Sequence, residues 1–416
     1  MIIPRPLYLQ KVDSALSHLP IVILIGARQV GKTTLMHLVK IEGRKLFLNG
    51  QNPEIIELFS SYSLIKTYIQ AELGNDLSGT IILDEFQFIP DISTSLKLLT
   101  DENPGLKFIC SGSSSLDMLG KVNESLAGRV RVIPVFSLSF SEYINFFDQE
   151  LFDKFSRYKL NDPVQILDKR IPNLVDSYLI FGGLPRIALA SRYQDKIDLL
   201  MDIYQTYLLK DIRNYIRNEE FVGFNKLLKL LALQIGNLIN INSLSKETSL
   251  SYRKTEDYLH ILEQMYIIKL LAPFVSNKRK EITRMKKVYF TDLGLRNIVL
   301  NDFREIGLRN DKGALFENFV YLEIAKEISR PENITFYRSK DGLEIDFIID
   351  TYKERIPFEA KFQSYTKPKS DPSLVRFSEI ENYNKGYIIN SGYSGIKEKL
   401  AFVPAYFLSK VKISSY

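Results

Sequence analysis

Eight consecutive residues, Gly26-Ala27-Arg28-Gln29-Val30-Gly31-Lys32-Thr33, fit the spacing Gly-x-x-x-x-Gly-Lys-Ser/Thr without a mismatch, and Thr34 follows with a second hydroxyl. Such a segment can cradle the phosphates of a nucleotide. Its glycines let backbone N–H groups turn toward the phosphates, Lys32 reaches the outer ones, and Thr33 offers its hydroxyl to Mg²⁺. Farther along, Asp84-Glu85 closes an apolar run, which places two carboxylates side by side. Asp84 is the expected Mg²⁺ partner, and Glu85 is expected to orient or deprotonate an attacking water. The adjacent glutamate argues for hydrolysis. A nucleotide kinase must exclude water, and the guanine-reading Asn-Lys-x-Asp of a GTPase is missing from this chain, so the expected cofactors are ATP and Mg²⁺. A third set, Glu317, Asp346, Glu359 and Lys361, lies near the C-terminus. Carboxylates gathered with a lysine can bind a divalent metal and activate water for phosphodiester cleavage, so a second metal on Asp346 and Glu359 is an expectation there.

These residues need elements to position them. Ile21-Val22-Ile23-Leu24-Ile25 reads as a buried strand entering the phosphate-binding turn, and Thr33 to Val39 reads as the helix leaving it. Further strands are expected at 45–49, 80–83, 106–111 and 130–135. Because the 45–49 strand falls between them, the phosphate-loop strand and the Asp-Glu strand are not consecutive. That spacing fits the additional-strand branch of phosphate-loop NTPases, in which a further strand separates the two in the sheet. Ser111, at the end of its strand, is the candidate to touch the γ-phosphate or the attacking water. Arg129, just before the last of these strands, could stabilise charge on the transferring phosphoryl group in its own or a neighbouring subunit, or could be a solvated loop cation. Arg28 lies inside the loop with its direction open, and Cys110 reads as a core thiol.

Beyond Glu142 the pattern turns helical, and Phe181-Gly182-Gly183-Leu184-Pro185 reads as a bend, either a hinge or an ordinary turn. From Phe224 to about Val299 the order suggests a winged helix-turn-helix. Helices are expected at 226–233 and 242–248, with a third capped by Ser251, followed by a hairpin of 267–274 and 287–292. Lys278, Arg279, Lys280, Arg284, Lys286 and Lys287 make the hairpin loop basic, and Arg253 and Lys254 lie on the third helix, a pattern suited to nucleic-acid backbone or to a protein surface. Near the C-terminus a helix over 313–322 carries Glu317, and strands are expected at 335–338, 343–349 and 357–362. Residues two apart in a strand share a face, so Glu359 and Lys361 point together; a hairpin with the preceding strand would bring Asp346 to the same edge.

The chain has 416 residues, 45% hydrophobic and 25% charged, a globular composition too long for one ordinary core. One cysteine excludes an internal disulfide, and three scattered histidines argue against a His-cluster metal site. A net charge of +6 permits a nucleic-acid partner without demanding one. With no signal-like start and no apolar run of membrane-crossing length, a soluble cytoplasmic protein without membrane partners is expected.

The ordered set Gly26-Ala27-Arg28-Gln29-Val30-Gly31-Lys32-Thr33-Thr34, Leu83-Asp84-Glu85, Ser111-Gly112-Ser113-Ser114-Ser115, Leu126-Ala127-Gly128-Arg129, Ser139-Phe140-Ser141-Glu142 and Gly182-Gly183-Leu184-Pro185 resembles prokaryotic AAA-type ATPases that carry a C-terminal domain of unknown function. The resemblance runs from about Arg5 to beyond Lys361. It implies the ATP-site roles given above, including a family arginine at Arg129, and says little about biology. The Asp346 and Glu359-x-Lys361 pattern is similar to the restriction-endonuclease-like fold, which implies a metal-dependent nuclease site that can be active or retained without activity. The expected architecture is therefore α/β. An AAA-type ATPase domain spans 1–145 and a helical connector 146–220, followed by a winged helix over 221–304 and a restriction-endonuclease-like α/β domain over 305–416. Two functions follow. One is an ATPase coupled to nucleic-acid binding or processing; the other is a nucleotide-dependent signalling switch or scaffold with a protein partner. Either is compatible with a homo-oligomer.

Overall fold

Strand β1, Ile21–Ile25, is buried at every position, as expected for a β-branched and leucine run in a parallel sheet covered on both faces. In this computed structural model the described residues are 3–113, 125–157, 170–206, 212–274, 285–328, 331–351, 353–381 and 383–411. The chain forms two compact units, Met1–Phe136 with Gln264–Tyr266, and Ser137–Glu263 with Ile267–Tyr416.

The first unit is an α/β fold of the phosphate-loop NTPase type. Its other strands are β2 (Lys45–Asn49), β3 (Gly79–Asp84), β4 (Leu106–Gly112) and β5 (Val130–Pro134). They pair in parallel in the order β2-β3-β4-β1-β5. The strand that separates β1 from β3 in the sheet is β4. The one that separates them in sequence, β2, forms an edge, and its alternating exposed and buried positions suit that place. Ile23, Leu83, Phe108 and Cys110 meet Ile65 and Leu96 from the helices Tyr62–Leu73 and Ile92–Glu102 in one core. Cys110 is fully buried, and burial pushes its thiol well above the ordinary range. Helix α1, Pro6–Leu16, starts with proline at its first turn, where the missing N–H costs nothing.

The second unit begins with helical elements. Ser139 and Glu142 form a reciprocal capping box at the start of the helix Phe140–Phe147, which gives part of the Ser-Phe-Ser-Glu segment a purely local purpose. Helices Phe221–Leu233, Ile241–Thr248 and Tyr252–Gln264 follow in the expected order, and the Ser251 hydroxyl accepts the Lys254 N–H at the start of the third. Strands β6 (Ile268–Leu271) and β7 (Lys287–Phe290) pair antiparallel, and the basic loop residues 278–280 and 284 lie outside the described residues.

The Gly182-Gly183 bend is pinned rather than open. Asp292, the N-cap of the helix Leu293–Leu300, accepts the Gly183 N–H at 2.9 Å with one oxygen and the Gly294 and Leu295 N–H groups with the other. Gly182 has φ +73, and a Cβ there would stand 2.1 Å from Asp292 Oδ1.

After the helix Lys312–Glu327 come β8 (Ile334–Arg338), β9 (Glu344–Asp350), β10 (Arg355–Lys361), β11 (Gly386–Asn390), β12 (Gly395–Lys397) and β13 (Leu400–Pro404), in the order β12-β13-β11-β10-β9-β8. The expected β9-β10 hairpin is present, whereas β10 and β11 run parallel, with the helix Pro372–Ile380 between them in sequence. Among the described residues no helix is long and apolar enough to cross a membrane.

Candidate functional site

The phosphate-binding segment leaves β1 and enters helix α2, Lys32–Leu38, through Gly31 at φ 91. A Cβ on Gly26 would lie 2.2 Å from the Val135 carbonyl oxygen, so the loop packs against the end of β5 only because that position is bare. Lys32 is buried, and its ammonium donates to the Gly26 and Ala27 carbonyls at 2.8 Å each. Burial lowers its pKa to about 8 against the opposing charges of Glu85 and Asp84, while Arg28 adds to the lowering. Val30 and Ala27 are buried, Arg28 and Gln29 half-buried, and Thr33 and Thr34 exposed. Gln29 sits at φ 64 with its side-chain oxygen buried and without a hydrogen-bond partner. Arg5 supports the loop from behind, its buried guanidinium donating to the Val30 and Phe136 carbonyls at 2.9 Å.

Asp84 and Glu85 stand at the end of β3 beside this loop. The Thr33 hydroxyl donates to Asp84 Oδ2 at 2.7 Å, and the Ser111 hydroxyl donates to Asp84 Oδ1. A hydroxyl and a carboxylate in contact are the oxygen donors that Mg²⁺ prefers, so the set fits that ion. Glu85 occupies a left-handed backbone position, φ 51, where Gln87 donates to its carboxylate and Ser113 reaches the same oxygen at 3.3 Å. Ser111 thus faces Asp84, and Ser113 faces Glu85. Ser114 and Ser115 lie outside the described residues.

Arg129 is elsewhere. Its carbonyl accepts the N–H of Ile21, the first residue of β1, so it sits at the amino ends of the strands, with the nucleotide loop at their carboxyl ends. Five residues of strand separate the two edges, roughly 16 Å at the usual rise per residue. Its guanidinium instead pairs with Asp101 through two hydrogen bonds, at 2.5 and 3.0 Å.

In the second unit, Glu317, Asp346, Glu359 and Lys361 do come together. Lys361 donates to Glu359 Oε2 at 2.7 Å, and Asp346 accepts the Ala360 N–H at 2.9 Å. Glu359 is buried with its other oxygen lacking a partner, and burial followed by the charge of Asp346 raises its pKa well above the carboxylate range. Burial, then Asp346, pushes Glu317 up to about 7. An additional residue changes the meaning of this cluster. Lys287 of β7, expected on the basic loop, is buried here, with its ammonium 3.1 Å from Glu317, 2.6 Å from Glu344 and 3.7 Å from Asp346. Burial works against its charge, yet Glu317, Asp346 and Glu344 hold its pKa above the usual lysine value. Two of the acids expected to hold or flank a second metal, Glu317 and Asp346, thus already face a cation of the protein's own. Among the described residues no group of three His, Cys, Asp or Glu side chains is arranged to hold a metal ion, and an ammonium stands among the acids meant for one.

Residues 18–144 match the family model of an AAA domain, and residues 312–408 match that of a domain of unknown function, DUF4143. The chain carries an AAA domain followed by a DUF4143 domain. Between the two, residues 172–305 match another domain of unknown function, DUF8612. An uncharacterised protein of Mycobacterium tuberculosis is 26% identical over 380 residues, 90% of this chain and 76% of that protein. One from Methanocaldococcus jannaschii is 26% identical over 336 residues, 79% of this chain and 71% of its own. Among solved structures the chain is similar to a Walker-type ATPase of Pyrococcus abyssi, with TM-score 0.48 and 15% identity over 72% of this chain and 96% of that one. It is also similar to the Aeropyrum pernix Orc1 protein in complex with DNA, with TM-score 0.34 and 14% identity over 73% and 93% of the two chains.

Within the AAA domain, Gln87 and Ser113 carry no signal of their own in the sequence, although they lie within two residues of Glu85 and Ser111. Arg5, ahead of the matched AAA segment, carries no local signal, since its partner Val30 is distant in sequence. At the DUF4143 domain the missed residues are Glu344, the first of β9, and Lys287, which arrives from a strand outside the matched segment.

Proposed function

We propose that this protein is a Mg²⁺-dependent ATPase of AAA type, acting as a nucleotide-driven switch for its C-terminal modules. In this reading the N–H groups of Gly26 to Thr34 and the Lys32 ammonium bind the phosphates, while Thr33 and Asp84 hold Mg²⁺, which supplies charge neutralisation on the phosphate oxygens. Glu85 orients and deprotonates the attacking water, held by Gln87 and Ser113 with its second oxygen left for that water. Ser111 reports the state of Asp84. The observation that carries the reading is the Thr33 to Asp84 contact of 2.7 Å, which joins the phosphate loop to the residue preceding Glu85. Lys32→Ala is expected to lose nucleotide binding, and Glu85→Gln to bind ATP while turnover falls by ~100-fold or more. Equal turnover in wild type and Glu85→Gln would remove Glu85 from the mechanism.

For the output, the helix order and exposed Arg253 support a winged helix that contacts nucleic acid. Two of the cations counted toward that surface are engaged within the protein, Lys254 with Glu220 at 3.5 Å and Lys287 with the acidic cluster. That favours the second reading, a switch with a protein partner whose restriction-endonuclease-like domain does not cleave. Nucleic acid that copurifies, binds with a steep salt dependence and stimulates ATP turnover would return the first reading to favour.

A further inference from the structure

Lys287 lies in a place that a surface lysine has no reason to occupy. It is 1% exposed on β7, outside the DUF4143 segment, and it crosses to acids on two elements of that segment, Glu317 on the helix Lys312–Glu327 and Glu344 and Asp346 on β9. Removing an ammonium from water costs several kcal/mol unless carboxylates and hydrogen bonds replace its hydration. Here the replacement is ample: three carboxylates surround it, Tyr289 Oη donates to Glu317 Oε1 at 2.6 Å, and the Phe336 ring lies 5.5 Å from the ammonium. The fourth acid, Glu359, belongs to a different lysine, Lys361.

The spacing of the oxygens also matters. A Mg²⁺ ion draws its oxygens to about 2.0–2.1 Å in a tight octahedron. The Glu344 and Glu317 oxygens stand at 2.6 and 3.1 Å from nitrogen, distances that suit a hydrogen-bonding ammonium, and the Asp346 oxygen completes an ion pair at 3.7 Å. A divalent ion placed among the same oxygens would meet a fixed positive charge within contact distance, so the two cations exclude one another.

We propose that the Lys287 ammonium is the resident cation of the Glu317, Glu344 and Asp346 cluster. It takes the place a divalent metal would fill and ties the β6-β7 hairpin to the C-terminal sheet. This rests on the reading of the C-terminal domain as a non-cleaving one and gives that reading a physical cause. The domain keeps the acids and needs no metal, because the protein supplies the counter-charge itself.

The test titrates Mn²⁺ into the nucleotide-free full-length protein, with binding followed by loss of the free-ion paramagnetic resonance signal. Four proteins are compared: wild type, Asp346→Asn, Lys287→Met and Lys287→Met/Asp346→Asn. Wild type and Asp346→Asn should bind Mn²⁺ alike. Lys287→Met should gain a site at least tenfold tighter than anything in wild type, lost again in the double variant, and its melting temperature should rise on adding Mn²⁺. A folded Lys287→Met that gains no site overturns the lysine as resident cation and leaves the non-cleaving reading standing. A wild-type Mn²⁺ site removed by Asp346→Asn overturns the proposal without any need for the Lys287 variant to fold. If that site also supports nucleic-acid cleavage, the non-cleaving reading falls with it.

Discussion

In the proposed ATP site the lysine that meets the polyphosphate is a buried one, whose charge is held less firmly than a surface lysine's. Burial lowers the Lys32 pKa to about 8 from 10.5, and two backbone carbonyls hold the ammonium in the meantime. A bound nucleotide restores negative charge beside it and favours the protonated form, so binding takes up a proton at pH values above the free-protein pKa. The sign is fixed: affinity for ATP is full below about pH 8 and weakens above it, by up to ~10-fold per pH unit until the bound-state pKa is reached. Calorimetry in two buffers of different ionisation heat should show almost no proton uptake near pH ~7 and approach one proton above pH ~9. Affinity and heat independent of pH across that range would mean that the lysine is charged in the free protein. Residues that act through neighbours in sequence, such as Gly26 to Thr34 or Asp84-Glu85, were legible because each lies on one turn or one strand end. Lys287 was not, because nothing in a strand lysine announces that its partners lie 30 to 59 residues farther on.

Elements show the same division. β1, the phosphate loop and α2 follow from a buried apolar run, a glycine turn and a helix start in succession, and the β9-β10 hairpin from two strands with a short connection. Sheet order is a long-range property. That β4 rather than β2 separates β1 from β3 depends on contacts between distant segments, and β11 to β13 close the C-terminal sheet with little alternation to reveal them, since β11 and β13 are buried throughout. The Gly182-Gly183 bend likewise reads as a hinge or turn until Asp292 is seen holding it. Gly182→Ala would introduce a Cβ at φ +73 and 2.1 Å from Asp292 Oδ1, which costs the left-handed strain and disturbs a carboxylate that accepts three backbone N–H bonds. The expected loss is about 3 kcal/mol in urea unfolding, with the slope of the transition unchanged. A change under ~0.5 kcal/mol would mean the bend yields easily and functions as a hinge after all.

At the scale of the molecule, the position of Arg129 bears on whether one chain suffices for catalysis. It stands at the amino ends of the strands, paired with Asp101, while its own phosphate loop lies at the carboxyl ends about 16 Å away, beyond one side chain's reach. If this arginine stabilises the transferring phosphoryl group, it does so for another copy of the chain, and each site is completed at an interface between copies. Two inactive variants then become complementary. Arg129→Ala retains an intact phosphate loop, and Lys32→Ala retains an intact arginine. Each alone should show little turnover, and a mixture should recover activity that peaks near equal proportions and falls on dilution, with ATP turnover per chain in wild type rising with protein concentration. Because the Asp101 pair is solvent-exposed, its loss in Arg129→Ala should cost little stability, so a folded but inactive variant is the expected starting point. Wild-type turnover per chain that is independent of concentration, together with an Arg129→Ala variant of normal activity, would make the arginine a surface ion pair and each chain a self-sufficient ATPase.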